Sequence, residues 1–192
     1  MESLIDIRGL DVRFDLKEGT IRAVNGINLA LPAQRTMGIV GESGCGKSIM
    51  ARAILGILPP RGRITAGRIM LAPRNGAGSP IDLAQLPPSS RAMRKIRGAE
   101  IAMIFQEPMT SLSPVHTVGN QIMEGIRLHQ PVSKAEARDR AVEMLRLAGI
   151  PMAERRVDAY PHELSGGLRQ RCMIAMALSC RQRLLIADEP TT

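Results

Sequence analysis

Apolar and polar residues alternate along two stretches near the start of the chain, residues 4–14 and 21–31, with Gly19 between them. A period of two, together with many β-branched side chains, is typical of strands that bury one face. The pattern therefore predicts a pair of antiparallel strands.

Shorter apolar runs predict further strands. Residues 67–71 and 81–83 flank a segment rich in proline and glycine, whose Asn75-Gly76 pair is a hairpin-turn signal. Three other runs are compact and apolar, as expected of buried strands: 37–40, 101–105 and 184–187.

Helical spacing of apolar residues appears at 49–58, before Pro59-Pro60, and again at about 167–179. Ser133 and Glu136 have the spacing of a capping box, in which each side chain accepts from a backbone N–H group of the first turn. The helix that follows is expected to end near Gly149. Its apolar face, expected to be buried, consists of Ala137, Ala141, Met144, Leu145 and Ala148.

The composition is that of a globular chain and excludes several classes of protein. The 192 residues include 44% hydrophobic and 23% charged residues, and no apolar run approaches the ~18 residues of a membrane span. The first residues lack a basic region before a long apolar stretch, so no secretory signal is expected. Three cysteines without a C-x-x-C pair argue against a disulfide framework and a zinc site.

The net charge of +8 suits nucleic acid, an anionic membrane surface or a phosphorylated ligand. Only 2% of the residues are aromatic, too few for the base-stacking surfaces that bind single strands. The basic residues are dispersed along the chain, so a solvated basic face is the simpler interpretation.

One motif carries specific chemistry. Residues 41–48, GESGCGKS, match the phosphate-binding loop pattern G-x-x-x-x-G-K-[ST] in full, between the predicted strand at 37–40 and a predicted helix. In this pattern the loop amides and the helix N-terminus bind an anion. Lys47 is expected to contact the β- and γ-phosphates and Ser48 to coordinate Mg²⁺.

Two acidic residues follow the apolar run at 184–187, where the carboxyl end of a buried parallel strand is expected. In this Walker-B pattern Asp188 holds Mg²⁺ through water, and Glu189 acts as general base on the attacking water. By itself the pattern is weak, but it becomes strong downstream of a phosphate-binding loop.

Residues 164–171, LSGGLRQR, could by themselves be a serine N-cap and two glycines that open a helix. Combined with the two preceding motifs, in this order, the segment resembles the signature sequence of ATP-binding-cassette proteins. The resemblance implies that Ser165, Gly166 and Gly167 bind the γ-phosphate held by an opposite subunit. Two cassettes would then pair head to tail around two ATP molecules.

Other residues fit the same family. Gln106 resembles the Q-loop glutamine, which the family uses as a metal and water sensor coupled to the transmembrane partner. Phe14 lies where the family has an adenine-stacking aromatic residue, although a plain core phenylalanine is the alternative. Three segments look most like the importer ATPases for dipeptides, oligopeptides and nickel: 38–44, 107–114 and 160–167.

The resemblance implies ATP and Mg²⁺ as cofactors, with Gln106 and Glu189 catalytic and Ser48, Gln106 and Asp188 at the metal. The implied nucleotide-binding residues are Phe14, Gly41, Ser43, Gly44, Cys45, Gly46, Lys47, Ser48, Ile49, Ser165, Gly166 and Gly167. The three histidines, expected to be surface or packing residues, are His116, His129 and His162.

The implied fold is α/β, a P-loop NTPase core with an antiparallel β subdomain and an inserted helical lobe. We expect one domain, with the β subdomain and core at 1–106, the lobe at 107–163, and the signature helix and Walker-B strand at 164–192. The implied partners are transmembrane permease subunits, a second ATPase subunit and, indirectly, an external solute-binding protein. Such a protein would lie peripherally on the cytoplasmic face of the inner membrane, and no nucleic acid partner is expected.

Three features depart from the family. Leu168 stands where the family has Gln or Met, and residues 33–35 replace a Gly-Glu turn. The 192 residues end before the family's D-loop and switch histidine, and before a strand that the family places between the phosphate-loop and Walker-B strands. We therefore expect a truncated cassette, incomplete at its C-terminus, that by itself does not hydrolyse ATP at a normal rate.

Two alternatives to an importer ATPase stay open. The net charge slightly favours a soluble cassette protein that acts on nucleic acid or ribosomes, whereas the few aromatic residues and the short segment between Gln106 and the signature oppose it. The second alternative is a module that binds the nucleotide without hydrolysing it.

Overall fold

The two alternating stretches form long antiparallel strands, as predicted. These are β1 (Ser3–Leu16) and β2 (Gly19–Pro32). On its other side β1 pairs with β3 (Gly62–Leu71), and β3 pairs with the short β4 (Ile81–Asp82), which gives the sheet order β2-β1-β3-β4. The strand predicted at 67–71 begins five residues earlier, because 62–66 continue the pairing along β1.

The computed structural model describes residues 3–76, 78–105 and 112–189. The chain forms two compact units, residues 1–94 and 95–192. The sheet β1–β4 lies in the first unit, and its core face buries apolar side chains, among them Ile5, Ile7, Leu10, Val12 and Ile69.

Helix α1 (Lys47–Ile54) follows the phosphate-binding loop. The predicted end at residue 58 is wrong, because the helix stops at a glycine before it reaches the prolines. Gly56 has a φ of +60°, its N–H donates to Ala53 O, and the N–H of Ile57 donates to Arg52 O. This pair of hydrogen bonds is a Schellman motif.

The strand predicted at 37–40 is not formed. Met37 and Ile39 are 43% and 46% exposed, and Val40 is 96% exposed. A strand exists only when its backbone groups have a ladder partner, and no strand within 3–76, 78–105 or 112–189 pairs with this segment. This apolar run therefore stays exposed and has no regular secondary structure.

The hairpin predicted around Asn75-Gly76 is formed, since β3 and β4 pair antiparallel, but the connection between them is longer than a tight two-residue turn. Residues Arg74–Gly76 form a 3-10 turn within this connection. The two strands pair Met70 with Asp82 and Leu71 with Ile81. The Asp82 carboxylate accepts from the backbone N–H groups of Ile69 and Ala84, both at 3.0 Å, and so fixes the end of this connection.

The outer face of the sheet carries a buried carboxylate. Asp11 is only 2% exposed, and it accepts hydrogen bonds from Thr65 Oγ1 (2.7 Å), Arg13 Nε (3.0 Å) and the guanidinium of Arg22. The Thr65 hydrogen bond and the two arginines hold the pKa of Asp11 at about 2, against the opposing effect of burial.

The second unit contains two parallel strands and a helical core. Strand β5 (Ile101–Ile104) pairs with β6 (Leu184–Ala187) from Ile101↔Leu184 to Ile104↔Ala187. Helix α2 (Arg91–Ile96) includes the division of the chain between residues 94 and 95. The other helices are α3 (Val118–His129), α4 (Lys134–Leu147), α5 (Ala153–Arg156) and α6 (Gly166–Leu178).

The helix predicted after Ser133 is confirmed as α4. Ser133 Oγ accepts from the N–H of Glu136, and the Glu136 carboxylate accepts from the N–H of Ser133, so the capping box is complete. The predicted face packs into the helical core, with Ala137, Ala141 and Leu145 fully buried. Among the described residues, no helix is both long and apolar enough to cross a membrane.

Candidate functional site

Glycines shape the loop that leads into α1. Gly44 and Gly46 have φ values of +79° and +99°, a region that side-chain-bearing residues rarely adopt. Gly46 is the N-cap of α1, which has no side-chain cap and no acidic residue in its first turn. The first N–H groups of a helix lack partners within the helix, so this end is suited to an anion.

The same glycine lies against the sheet. A Cβ atom on Gly46 would overlap the carbonyl oxygen of Ala23 in β2 and lie 3.5 Å from Val24 Cγ2. Ala23 is the extra residue of a bulge, since Val12 pairs with Val24 whereas Arg13 pairs with Arg22. The loop is therefore positioned by the β2 bulge.

Lys47 folds back over the loop. Its Nζ donates to the carbonyls of Gly41 (2.7 Å) and Glu42 (2.9 Å) and lies 3.8 Å from Cys45 Sγ. These contacts hold a positive charge beside the N-terminus of α1. Cys45 is exposed, and a Cβ on Gly41 would lie only 2.7 Å from its sulfur, so the loop closes tightly at this point.

Of the other residues predicted to bind the nucleotide in the loop, Ser43 and Gly44 are exposed. Ser48 and Ile49 are half-buried in the first turn of α1.

Phe14 lies in β1 on the face of the sheet that carries the loop. It is two residues from Val12, whose partner Val24 is next to Gly46. The half-buried ring lies over Gly62 of β3, its register partner: a Cβ on Gly62 would be 2.7 Å from Phe14 Cε1 and 2.9 Å from Cζ. The structure thus brings Phe14 and Gly46, at the end of the loop, to one face of one sheet.

The acidic pair lies at the carboxyl end of β6. The N–H of Asp188 donates to Ile104 O (3.0 Å) and so continues the ladder with β5 past the end of the strand. Glu189 follows with a φ of +48°, an uncommon conformation for a residue with a side chain. Strained backbone of this kind clusters at functional sites. Gln106 lies outside the described residues.

The signature segment opens α6. Ser165 is the N-cap, with its Oγ accepting from the N–H of Leu168 (3.4 Å), and Gly166 and Gly167 are exposed with open space where Cβ atoms would be. Leu168, the departure from the family, packs against the helical core. Arg169 Nε donates to Leu164 O (2.9 Å) and ties the helix to the residue before Ser165.

The three histidines make local contacts. The His116 ring forms a hydrogen bond with Ser113 Oγ (3.0 Å), and the His162 ring stacks on Tyr160 with 5.6 Å between centroids. His129 is partly buried beside Gly98, and burial lowers the pKa of its imidazole. These contacts agree with the prediction of surface or packing roles.

The predicted site residues thus fall into two groups, Phe14 with residues 41–49 in the first unit, and 165–167 with 188–189 in the second. Sequence reasoning missed Ala23, Gly62 and Arg169. Ala23 contributes a backbone carbonyl and Gly62 contributes the lack of a side chain, and neither leaves a signal in a single sequence. Arg169 lies within the signature segment, and its position there is the signal that could have indicated its hydrogen bond to Leu164 O.

A family model described as "ABC transporter" matches residues 24–192, so the chain belongs to the ABC transporter family. It is 53% identical, over 190 residues, to a probable peptide ABC transporter ATP-binding protein of Sinorhizobium fredii, a match that covers 98% of this chain and 54% of that protein. It is 47% identical to the dipeptide transport ATP-binding protein DppD of Haemophilus influenzae, covering 99% of this chain and 55% of that one. The chain therefore spans about half the length of these relatives.

Solved structures agree with the expected fold. The dimeric, post-hydrolysis structure of the ATP-binding cassette MJ0796 bound to ADP and Pi superposes with a TM-score of 0.82 at 28% identity, covering 97% of this chain and 74% of that one. The structure of cbiO1 from Clostridium perfringens, described as part of the ABC transporter complex cbiONQ, gives a TM-score of 0.71 at 27% identity over 98% of this chain and 66% of that one. The predicted cassette fold is thereby confirmed.

Proposed function

We propose that this chain is the ATP-binding and ATP-hydrolysing part of an importer for dipeptides or oligopeptides. The observation that carries the proposal is the loop at 41–48, which ends in a helix N-terminus without a side-chain cap and holds the Lys47 ammonium against its own carbonyls. The peptide class is supported by the names of relatives about half identical to the chain.

The loop supplies binding and charge. When the phosphates of ATP enter, the amides of 44–48 and the α1 dipole bind them. Lys47 then exchanges the carbonyls of Gly41 and Glu42 for the β- and γ-phosphates. Phosphoryl transfer depends on such positioning and charge neutralisation rather than on covalent help from the protein.

Mg²⁺ suits the residues present. The Ser48 hydroxyl and the Asp188 carboxylate are hard oxygen ligands, and Gln106 is a third candidate. Bound Mg²⁺ would neutralise charge on the β- and γ-phosphates. Glu189, an exposed residue after the end of β6, is the proposed general base that takes a proton from the attacking water.

The signature residues act on a second cassette. Ser165 and the amides of Gly166 and Gly167 form an exposed helix N-terminus that binds the γ-phosphate held by the opposite subunit. The dimeric state of the cassette MJ0796 supports this arrangement. The remaining proposed partners are the permease subunits at the cytoplasmic face of the membrane and, through them, an external solute-binding protein.

We further propose that residues 1–192 by themselves bind ATP but do not hydrolyse it at the rate of a complete cassette. Steady ATP turnover by the purified 192-residue chain at the rate of a complete cassette would contradict this statement and leave the binding proposal intact.

Equilibrium binding of a fluorescent ATP analogue to the purified chain tests the nucleotide site. Removing the ammonium group with Lys47→Ala should weaken binding by roughly 10- to 100-fold, the effect of one lost charge-assisted hydrogen-bonding group. The matched control is Lys17→Ala, which removes a lysine from the turn between β1 and β2. Equal affinity in Lys47→Ala and the original chain would contradict the proposal.

The transport role needs a separate experiment. Co-purification with membrane permease subunits, and ATP-dependent uptake of a labelled dipeptide by vesicles that contain them, are the expected results. A salt-sensitive DNA mobility shift that persists in Lys47→Ala, without association with permeases, would instead favour the cassette protein that acts on nucleic acid.

A further inference from the structure

Gly62 is a glycine that the backbone does not require. Its φ lies outside the left-handed region, unlike that of Gly44 or Gly46, so any residue could adopt its conformation. What excludes a side chain is space: an ideal Cβ would lie 2.7 Å and 2.9 Å from two carbons of the Phe14 ring and 3.0 Å from Pro59 O. Gly62 therefore allows the ring to lie close to the β3 backbone.

Several contacts fix this arrangement. Phe14 and Gly62 are register partners, the Gly62 N–H donates to Pro59 O (3.0 Å), and the Asp15 N–H donates to Arg61 O (3.3 Å). The neighbouring Arg61 has a φ of +68°, so the turn at 59–62 holds an uncommon conformation to deliver Gly62 to the strand. The backbone beneath the ring is therefore held in place by strand pairing and by these hydrogen bonds.

The ring and the phosphate-binding loop are linked through β2. Ile21 pairs with Phe14, and Ala23, two residues further along, contacts Gly46. Two residues of strand span roughly 7 Å. The sheet thus sets the separation between the aromatic ring and the anion-binding loop, and any tilt of the ring would change where a stacked base lies relative to the phosphates.

We propose that Gly62 is a positioning residue that holds the Phe14 ring in the orientation needed to stack on the nucleobase, and that it thereby sets the preference of the site for ATP over a bare triphosphate. This inference rests on the proposed nucleotide-binding function. It concerns the base-binding end of the site alone, and not the phosphate loop.

The test measures the binding of two ligands to the original chain and to three variants. ATP and inorganic tripolyphosphate are titrated against the original chain, Gly62→Ala, Phe14→Ala and the double variant. Because base–aromatic stacking is worth roughly 1–3 kcal/mol, we expect Gly62→Ala to weaken ATP binding by at least fivefold and to leave tripolyphosphate binding unchanged. Phe14→Ala should likewise weaken ATP binding and leave tripolyphosphate binding unchanged. The double variant should bind ATP about as weakly as Phe14→Ala does.

The outcomes separate this inference from the proposed function. Unchanged ATP affinity in Gly62→Ala, or equal weakening of both ligands, overturns the positioning role. Loss of both ligands in Lys47→Ala together with normal selectivity in Gly62→Ala would retain the proposed nucleotide site and reject only the inference. If the original chain binds neither ligand, the proposed function itself fails.

Thermal unfolding keeps the inference testable if Gly62→Ala folds poorly. The added methyl should lower Tm when Phe14 is present and much less in the Phe14→Ala background, where the space of the ring is free. An equal loss in both backgrounds would mean that Pro59 O, and not the ring, is what Gly62 avoids, and would overturn the inference. Gly38→Ala is the control, because a Cβ there meets nothing within 4 Å.

Discussion

The carbonyl oxygen of Ala23 in β2 occupies the space that a Cβ atom on Gly46 would need. One residue belongs to the bulge of an antiparallel sheet and the other begins the helix that follows the phosphate-binding loop. The contact between them couples the position of the N-terminus of α1 to the sheet that carries Phe14.

Gly46→Ala should therefore lose nucleotide binding. The methyl group cannot share the space of a backbone carbonyl, and the φ of +99° costs a side-chain-bearing residue roughly 1–2 kcal/mol in addition. We expect at least a tenfold loss of affinity for ATP, measured by equilibrium titration. Gly38→Ala, with open space around its Cβ, should bind as the original chain does; similar losses in both variants would contradict this explanation.

Two glycines of helix α3 should respond in opposite directions to alanine. A Cβ on Gly119 would lie 2.5 Å from Val157 O and overlap its side chain, whereas a Cβ on Gly125 meets nothing within 4 Å. Gly119→Ala should lower the free energy of unfolding by roughly 1–3 kcal/mol through overpacking. Gly125→Ala should raise it by roughly 0.5–1 kcal/mol through helix propensity. Urea unfolding measures both, and a stabilising Gly119→Ala would show that the contact with Val157 yields easily.

Replacing one residue of the turn before the phosphate-binding loop with glycine should stabilise the folded chain. Gln34 has a φ of +56°, and it belongs to the segment in which the family has a Gly-Glu turn. Gln34→Gly removes the cost of this conformation, but glycine also gives the unfolded chain more conformational freedom. The net effect should be a rise of roughly 0.5–1 kcal/mol in the free energy of unfolding. Gln34→Ala keeps a Cβ and should give no gain. Equal stability of the glycine and alanine variants would contradict the strain.

Acid should destabilise the first unit through Asp11. Its pKa is about 2 in the folded chain and 3.8 ordinarily, so the unfolded chain takes up this proton first as the pH falls. The stability that Asp11 contributes is therefore complete above its ordinary pKa and is lost progressively between that value and about 2. Other carboxylates titrate nearby, so the measurement is the difference in unfolding free energy between the original chain and Asp11→Asn. A difference that does not shrink in this range would contradict the role of Asp11.

The three cysteines should differ in reactivity. Burial raises the pKa of Cys172 to about 11 and also raises the pKa of Cys180, whereas Cys45 is exposed in the loop. Because the thiolate is the nucleophile, iodoacetamide in mildly alkaline buffer should label Cys45 first, and bound ATP should protect it. Mass spectrometry identifies the labelled peptide, and chemically unfolded chain, in which all three react, is the control. Early labelling of Cys172 would contradict the buried environment.

Local patterns determined most of the elements and the chemical motifs. The alternation in β1 and β2, the Ser133–Glu136 capping box and the run at Leu184–Ala187 each depend on neighbours in sequence, and each formed as predicted. The loop at 41–48 was recognisable for the same reason, since its glycines and lysine act at fixed spacing. The end of α1 was missed, although the Gly56 signal was present.

Tertiary structure decided what depends on distant partners. The apolar run at 37–40 has the composition of a buried strand, yet a strand needs a neighbour to satisfy its backbone groups, and the described residues supply none there. In the same way, the close approach of Gly46 to Ala23 and of Gly62 to Phe14 depends on how strands pair and where a bulge falls. The sequence alone predicted which residues bind phosphate, because the motif behind that prediction is local. Only the folded sheet decided how the aromatic ring and the loop are spaced, because that spacing depends on strand register.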